Sequence, residues 1–356
     1  KQYHGPVWKY DLNQAYAAAM RDASLPQGNC ARIDKYEPGL PAVYKVIMSR
    51  AVESLIPFYY RTADKNLGYF TCGAECETWV TSSEYDHLIA DHWTVEIEDG
   101  YVWDKSFNMS DMVNDLEKLR FTDPKGPSGP LGTMVKMIGN NAYGKTLEQL
   151  EGVDLVFARQ CPPEYIPYMP ENKDMDFVFC KFNEPLKRVY HQPQIGVFIT
   201  AHVRILVREA ALKYPENFVY ADTDCVVFDC PVTHLHIDPR QYGAWKQEDD
   251  GKDYIFIGKK IYYGDDANIE QSTRKAKGLR VKELTKEDYE KWLHGIPPVQ
   301  KQTQRQNFVK FIGGADMFAD NDRSGTDINM LQHARLIGNR FVPTVPERDD
   351  RLSESA

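Results

Sequence analysis

No apolar run in this 356-residue chain approaches the ~18 residues that span a bilayer, and no signal-peptide pattern opens it. Nothing therefore points to a membrane or to secretion. Paired CxxC spacing is missing as well: the seven cysteines, at 30, 72, 76, 161, 180, 225 and 230, are odd in number and irregularly placed. That favours free thiols in a reducing, cytoplasmic compartment. Cys72 and Cys76 could hold zinc only with two further ligands, and no nearby Cys or His has suitable spacing. Internal repeats are absent too. Positive charge is scarce: the net charge is −9, which on its face argues against a nucleic-acid partner.

The charge that is present is unevenly spread. Gly258 to Lys310 holds twelve Lys and Arg against seven Asp and Glu, a local +5 that leaves −14 for the rest. A basic segment can contact phosphates while acidic ones hold metals. Within it, "ELTKEDYEKW" has the mixed charges of an exposed helix. Hydrophobic content of 42% and aromatic content of 12% fit a folded chain, and the length suggests two or three subdomains.

Local patterns set the order of elements. "VWKYDLNQAYAAAM" reads as a strand ending at Asp11 followed by an alanine-rich helix from near Tyr16. Residues 31–108 alternate strands with one helix, "SSEYDHLIAD", opened by a Ser cap. "SDMVNDLEKLRF", with a Ser or Asp cap, stops at the Pro/Gly-rich "TDPKGPSGP" and is followed by a second helix, forming a helical hairpin. A β-hairpin is expected within 151–190, then a helix from 194, then "YIFIGKKIYY" as strand. The last dozen residues read as frayed.

In "YADTDCVVF", Asp222 and Asp224 sit one residue apart at the bend between two apolar strands. Asp is a common turn residue, so a plain turn is one reading. A metal site is the other: two carboxylates fixed on a hairpin repel unless a hard divalent cation lies between them. Asp11 supplies a third carboxylate, and the backbone N–H groups after it are expected to be free for phosphate oxygens. Together the three could hold two ions about 3.5–4 Å apart, the clamp for an in-line displacement. Lys136, Asn140 and Tyr143 are spaced i, i+4, i+7 and share one helix face; taken alone that reads first as an exposed face with one half-buried Tyr, and otherwise as a grip for a triphosphate, a sugar and a base.

These residues resemble the motifs of family B DNA polymerases. "DLNQAYAAAM" resembles motif A (DxxSLYP), "KMIGNNAYG" motif B (KxxxNSxYG) and "YADTDC" motif C (YxDTDS), in the family's order. "TAHVR" is similar to the Tx2GR-type DNA-binding motif of the protein-primed branch, and "KIY" at Lys260 to Tyr262 matches its KxY motif. The resemblance implies an α+β right-hand polymerase with an antiparallel-sheet palm, helical-hairpin fingers, a small thumb and two insertions. Its parts would be 1–30 and 191–275 as palm, 31–108 and 151–190 as insertions resembling the terminal-protein regions, 109–150 as fingers and 276–356 as thumb and tail.

Carried over by position, the resemblance makes Asp11 and Asp224 the main metal ligands with the Leu12 carbonyl, and Asp222 a supporting carboxylate. Two Mg²⁺ ions, replaceable by Mn²⁺, are the implied cofactors. Tyr16 would be the steric gate that selects dNTP over NTP. Lys136 would hold the triphosphate, with Lys125 a second phosphate contact or part of a plain turn, and Asn140 and Tyr143 would shape the pocket. Asn141, Gly144, Thr200, Arg204, Lys260, Tyr262 and Lys275 would contact DNA. Implied partners are primer–template DNA, dNTPs, a terminal or priming protein and a separate exonuclease, in a host cytoplasm if the source is viral.

The pattern departs at Gln14 (Ser in the family), Ala17 (Pro), Asn141 (Ser) and Cys225 (Ser), none of them a metal ligand. The family's N-terminal exonuclease has no counterpart in these residues, so proofreading by this chain is not expected. A primase-like polymerase would use the same residues. A binding factor on an idle polymerase fold has no need of Asp11, Asp222, Asp224 and Lys136 together, and a two-metal nuclease has no use for the Lys136 helix face.

Overall fold

Alternation of buried and half-exposed residues along β3 (Ala42–Arg50), with Ala42, Tyr44, Val46 and Met48 inward, shows how pattern becomes layer in this chain. The computed structural model describes residues 2–61, 67–148, 151–157, 166–167, 177–183, 191–277, 279–298, 335–337 and 340–342. Elements follow in the order β1 (Tyr3–Leu12), α1 (Ala15–Asp22), β2 (Leu25–Ile33), β3, β4 (Phe58–Arg61), β5 (Leu67–Phe70), β6 (Gly73–Thr81), α2 (Ser82–Ala90) and β7 (Thr94–Phe107). The helical hairpin is α3 (Ser110–Arg120) and α4 (Pro130–Thr146). Then come β8 (Glu151–Phe157), β9 (Ile166–Pro167), β10 (Phe177–Asn183), α5 (Pro193–Leu212), β11 (Phe218–Asp222) and β12 (Cys225–Phe228). β13 (Trp245–Gly258), β14 (Ile261–Gly264), β15 (Thr273–Ala276), α6 (Lys286–Leu293), β16 (Arg335–Ile337) and β17 (Arg340–Val342) complete the chain.

A six-stranded sheet in the order β11-β12-β1-β13-β14-β15 carries the carboxylate hairpin. Residues 31–108 supply most of a four-stranded sheet, β2-β7-β3-β6, whose pairs are antiparallel where registered. Its inner face packs Tyr44, Val46, Met48, Cys76 and Val80 with Leu88 of α2 and Trp93. The expected hairpin in 151–190 is the antiparallel pair β8–β10, with β9 beside β10. The fold is thus α+β with antiparallel sheets, as the sequence suggested.

The chain forms two compact units. One comprises Lys1–Lys9, Val227–Pro231 and Asp249–Ala356, and the other Tyr10–Val226 and Val232–Glu248. In the first, Ile255, Ile257, Ile261 and Tyr263 of β13 and β14 pack with Leu284, Tyr289 and Trp292. Tyr289 and Trp292 are buried, so "ELTKEDYEKW" is a half-buried helix with one apolar stripe rather than a solvated one.

Two caps differ from the sequence reading. α2 is opened by Thr81, not a Ser, in a reciprocal capping box with Glu84. α3 has Met109 at its N-cap position with no side-chain cap bond, and Ser110 and Asp111 lie inside the helix. Cys30, Cys72, Cys76, Cys225 and Cys230 form no disulfide, and no described helix is long and apolar enough to cross a membrane. The frayed reading of the last dozen residues falls outside the described ones.

Candidate active site

The turn between β11 and β12 is as tight as a chain can make. The Asp224 N–H donates to the Asp222 carbonyl at 2.8 Å, closing a three-residue turn whose centre, Thr223, has φ 62°. A β-branched residue at positive φ is strained, and such strain gathers at functional sites. Thr223 Oγ1 donates to Asp222 Oδ1 at 3.2 Å. Asp222 closes a strand and Asp224 follows the bend, an arrangement that both readings of "YADTDCVVF", plain turn and metal site, share.

β1 neighbours β12 in the sheet, and the Leu12 N–H donates to the Asp224 carbonyl at 2.8 Å. That bond brings Asp11, half-buried near the end of β1, alongside the hairpin. The Asn13 N–H donates to the Ala244 carbonyl at 2.9 Å, and its side chain donates to the carbonyls of Pro239 and Gln241. The Leu12 and Asn13 amides are therefore committed to protein acceptors, so of the amides expected to meet phosphate only those at the start of α1 come into question. Gln14 then takes a left-handed conformation (φ 50°, ψ 50°) at the N-cap of α1 with no side-chain cap bond.

Burial pushes the Asp224 carboxyl above the usual carboxylate range, and the charges of Asp222 and Glu248 add to it while Lys136 opposes. Glu248, on β13, is a fourth acid that sequence reading missed, because "KQEDDGKD" gives no hint which of its acids faces the hairpin. Hard oxygen donors around a raised carboxyl fit a divalent cation. Among the described residues no three His, Cys, Asp or Glu are gathered closely enough to hold a metal by themselves. Mg²⁺ commonly takes one or two carboxylates and fills its other positions with phosphate and water, so the donors present still suit it.

Across from the hairpin, Tyr16 of α1 and Tyr143 of α4 stack face to face, ring centroids 4.4 Å apart and 3° from parallel. Burial, Tyr143 and Asp224 push the Tyr16 hydroxyl up to about 12. Lys136 and Asn140 are exposed on the same helix. α1 and α4 come close where a Cβ on Gly139 would lie 3.6 Å from that of Ala17, the residue replacing the family's Pro. Asn141 and Gly144 are exposed on α4, with nothing within 4 Å of a Cβ at Gly144. Cys225 is buried behind the hairpin.

Lys125 lies in the α3–α4 loop, exposed, its N–H bonded to Asp123 Oδ1 at 2.8 Å beside Gly126 at φ 77°. This is the geometry of a plain turn. Thr200 Oγ1 donates within α5 to the carbonyls of Gly196 and Val197. Arg204 is partly committed within the protein: its Nε and Nη2 both donate to Glu84 Oε1, at 2.9 and 2.7 Å, while its side chain stays 47% exposed. Glu84 was also missed, although "TSSE" carries the capping-box signal.

In the other unit, Lys260 turns the chain between β13 and β14 at φ 57°. Tyr262 pairs with Lys275 across β14 and β15, and the Lys277 N–H donates to the Lys260 carbonyl at 3.2 Å. Lys260, Tyr262 and Lys275 are thus brought together.

Residues 1–160 match the family model described as DNA polymerase type B, organellar and viral. The chain is 20% identical over 273 residues to a probable DNA polymerase of Ascobolus immersus, covering 72% of this chain and 22% of that protein. It is 24% identical over 274 residues to the DNA polymerase of Streptococcus phage Cp-1, covering 71% and 45% respectively. Among solved structures, Phi29 DNA polymerase complexed with primer-template DNA and incoming nucleotide matches with TM-score 0.65 and 20% identity, over 85% of this chain and 55% of that one. The chain therefore shares that fold, and spans about half or less of the relatives it matches.

Proposed function

We propose that this chain, whose residues 1–160 match the organellar and viral type B DNA polymerases, performs template-directed DNA synthesis from dNTPs. The observation that carries the reading is the joining of two distant segments: the Leu12 amide on the Asp224 carbonyl sets motif A against the strained Asp222–Thr223–Asp224 turn. The Tyr16–Tyr143 stack joins motif A to motif B in the same way. In this reading α3 and α4 are the fingers, the six-stranded sheet is the palm, and residues 31–108 and 151–190 are insertions.

The reaction forms a bond from the primer 3′-oxygen to the α-phosphorus of a dNTP and breaks the bond to pyrophosphate. Asp11, Asp224 and the Leu12 carbonyl would hold Mg²⁺, with Asp222 in support. Bound there, the metal supplies charge neutralisation for the attacking and leaving oxygens. The protein's own share is positioning. Lys136 offers a mobile cation to the triphosphate. The parallel rings of Tyr16 and Tyr143 make a flat wall for the sugar and nascent base pair, with Asn140 one turn from Lys136. Tyr16 stays neutral at working pH, since its hydroxyl titrates far above it.

The test is extension of a labelled primer on a template with dNTPs and Mg²⁺, with a lane lacking primer. Stepwise extension by the chain, lost by about 1,000-fold or more in Asp224→Ala, is the expected result. Tight primer–template binding with no extension by the parent chain would sink the reading.

A further inference from the structure

The carboxylate of Glu84 is one of few buried charges among the described residues, its side chain only 5% exposed. A buried carboxylate persists only when its oxygens are satisfied. Here each oxygen has its own task. Oε2 accepts the Thr81 N–H at 3.0 Å and the Thr81 hydroxyl at 3.2 Å, closing the capping box of α2. Oε1 takes both Arg204 bonds.

Arg204 is anchored from one side only. Its side chain is 47% exposed, and a guanidinium has five N–H donors. Two are given to Glu84, which leaves three in a plane fixed by the bonded edge. This is how a carboxylate orients a phosphate-binding arginine: it removes rotamer freedom from the long side chain while leaving part of the fork for a second acceptor. Arg204 lies on α5, which packs against both α1 and α4, the helices carrying the stacked Tyr16 and Tyr143. The Arg204 charge is felt by both tyrosines. One turn further along α5, Arg208 bonds Asp91 Oδ2 at the other end of α2, at 2.5 Å. α2 is thus tied to α5 by two arginines, with His87 of α2 also meeting Arg208 at 2.8 Å and Glu209 at 3.6 Å, and of the two arginine ties only the first has donors to spare at the surface.

We infer that Glu84 is a positioning residue that holds Arg204 oriented to receive a backbone phosphate of the bound primer–template, making the 31–108 insertion part of the nucleic-acid site. The inference rests on the polymerase reading above. Glu84 touches no substrate and acts through Arg204. Without its charge, the guanidinium regains its rotamers and must be ordered again each time nucleic acid binds.

Glu84→Gln is the informative variant. Gln serves at the third position of a capping box, so α2 keeps its start. Its single carbonyl oxygen cannot serve Thr81 and Arg204 at once, and its NH₂ then meets the Arg204 donors. Primer–template affinity is measured by fluorescence anisotropy, with Tm, for the parent chain, Glu84→Gln, Arg204→Ala, the double variant and Asp91→Asn. Expected are about tenfold weaker binding in Glu84→Gln and in Arg204→Ala and no further loss in the double variant. Asp91→Asn, which loosens the second tie, lowers Tm and leaves affinity unchanged. Unchanged affinity in Glu84→Gln with normal binding by the parent overturns the inference alone. Losses that add in the double variant, or equal loss in Asp91→Asn, overturn it too by showing general loosening. A parent chain that binds no primer–template overturns the polymerase reading and the inference with it.

Discussion

Asp224 is half-buried, and burial with the charges of Asp222 and Glu248 raises its carboxyl while Lys136 gives partial relief. Its carboxyl is raised above the unfolded value, so the folded chain holds that proton more tightly than the unfolded chain does. The stability this represents is present below the unfolded value of about 3.9 and is lost as pH rises through the folded value. At neutral pH without metal, Asp224 therefore destabilises the fold it serves. In a chelator at pH 7, Asp224→Asn should melt at higher temperature than the parent chain, with the gap closing by about pH 4. A variant that melts no higher at pH 7 would refute this account. Tyr16 invites a different test. If its ring bounds the sugar, Tyr16→Val should lower the preference for dNTP over rNTP on the order of 100-fold in single-nucleotide incorporation, and an unchanged ratio would remove Tyr16 from that role. Asp222, Asp224 and Lys136 were legible as residues because carboxylate pairs and a cationic helix face are local patterns. Glu248 and the Arg204–Glu84 bond were not, because both depend on which distant segment comes to lie opposite.

α4 and α5 illustrate how a missing Cβ sets the distance between elements. Gly196, in the first turn of α5, is buried against the C-terminal end of α4, where a Cβ would lie 2.4 Å from Leu147 Cγ and 2.5 Å from Thr146 Oγ1. Gly139 has room, with Ala17 Cβ at 3.6 Å. Gly196→Ala should therefore cost about 1–3 kcal/mol through overpacking, whereas Gly139→Ala should gain about 0.5–1 kcal/mol from helix propensity. Urea midpoints of the two variants check this, and a neutral Gly196→Ala would mean that α5 can slide on α4. Most elements were legible from periodicity and punctuation: the strand–helix entry at Asp11, the hairpin of α3 and α4 stopped by Pro and Gly, and the β8–β10 pair. The caps were less so. Ser82 and Ser83 drew the eye, but Thr81 wins because only it stands three residues before Glu84. α6 was misjudged because its charges mask Tyr289 and Trp292 three residues apart on one side.

At the scale of the molecule, a chain of net charge −9 must concentrate its cations to meet a polyanion. Charge segregation was readable from sequence as the +5 of Gly258 to Lys310, but the division into two compact units was not, since each unit gathers segments far apart in the chain. Arg204 belongs to one unit, and Lys260 and Lys275 to the other. If these three are the cations that meet phosphates, the logarithm of the primer–template binding constant should fall against the logarithm of salt with a slope of about −3, at roughly −0.9 per phosphate neutralised on duplex. Lys260→Ala should flatten the slope by about one, weakening binding equally on all sequences. Arg204→Ala should do the same, and the two changes should add, because the residues belong to different units. A slope of about −6 or steeper would mean that other cations carry the binding. The sequence names where to look for them: Lys301, Arg305 and Lys310 complete the basic segment with no acid among them. Replacing those three by Ala together would then account for the missing charge, whereas on the three-cation account it leaves the slope where it was.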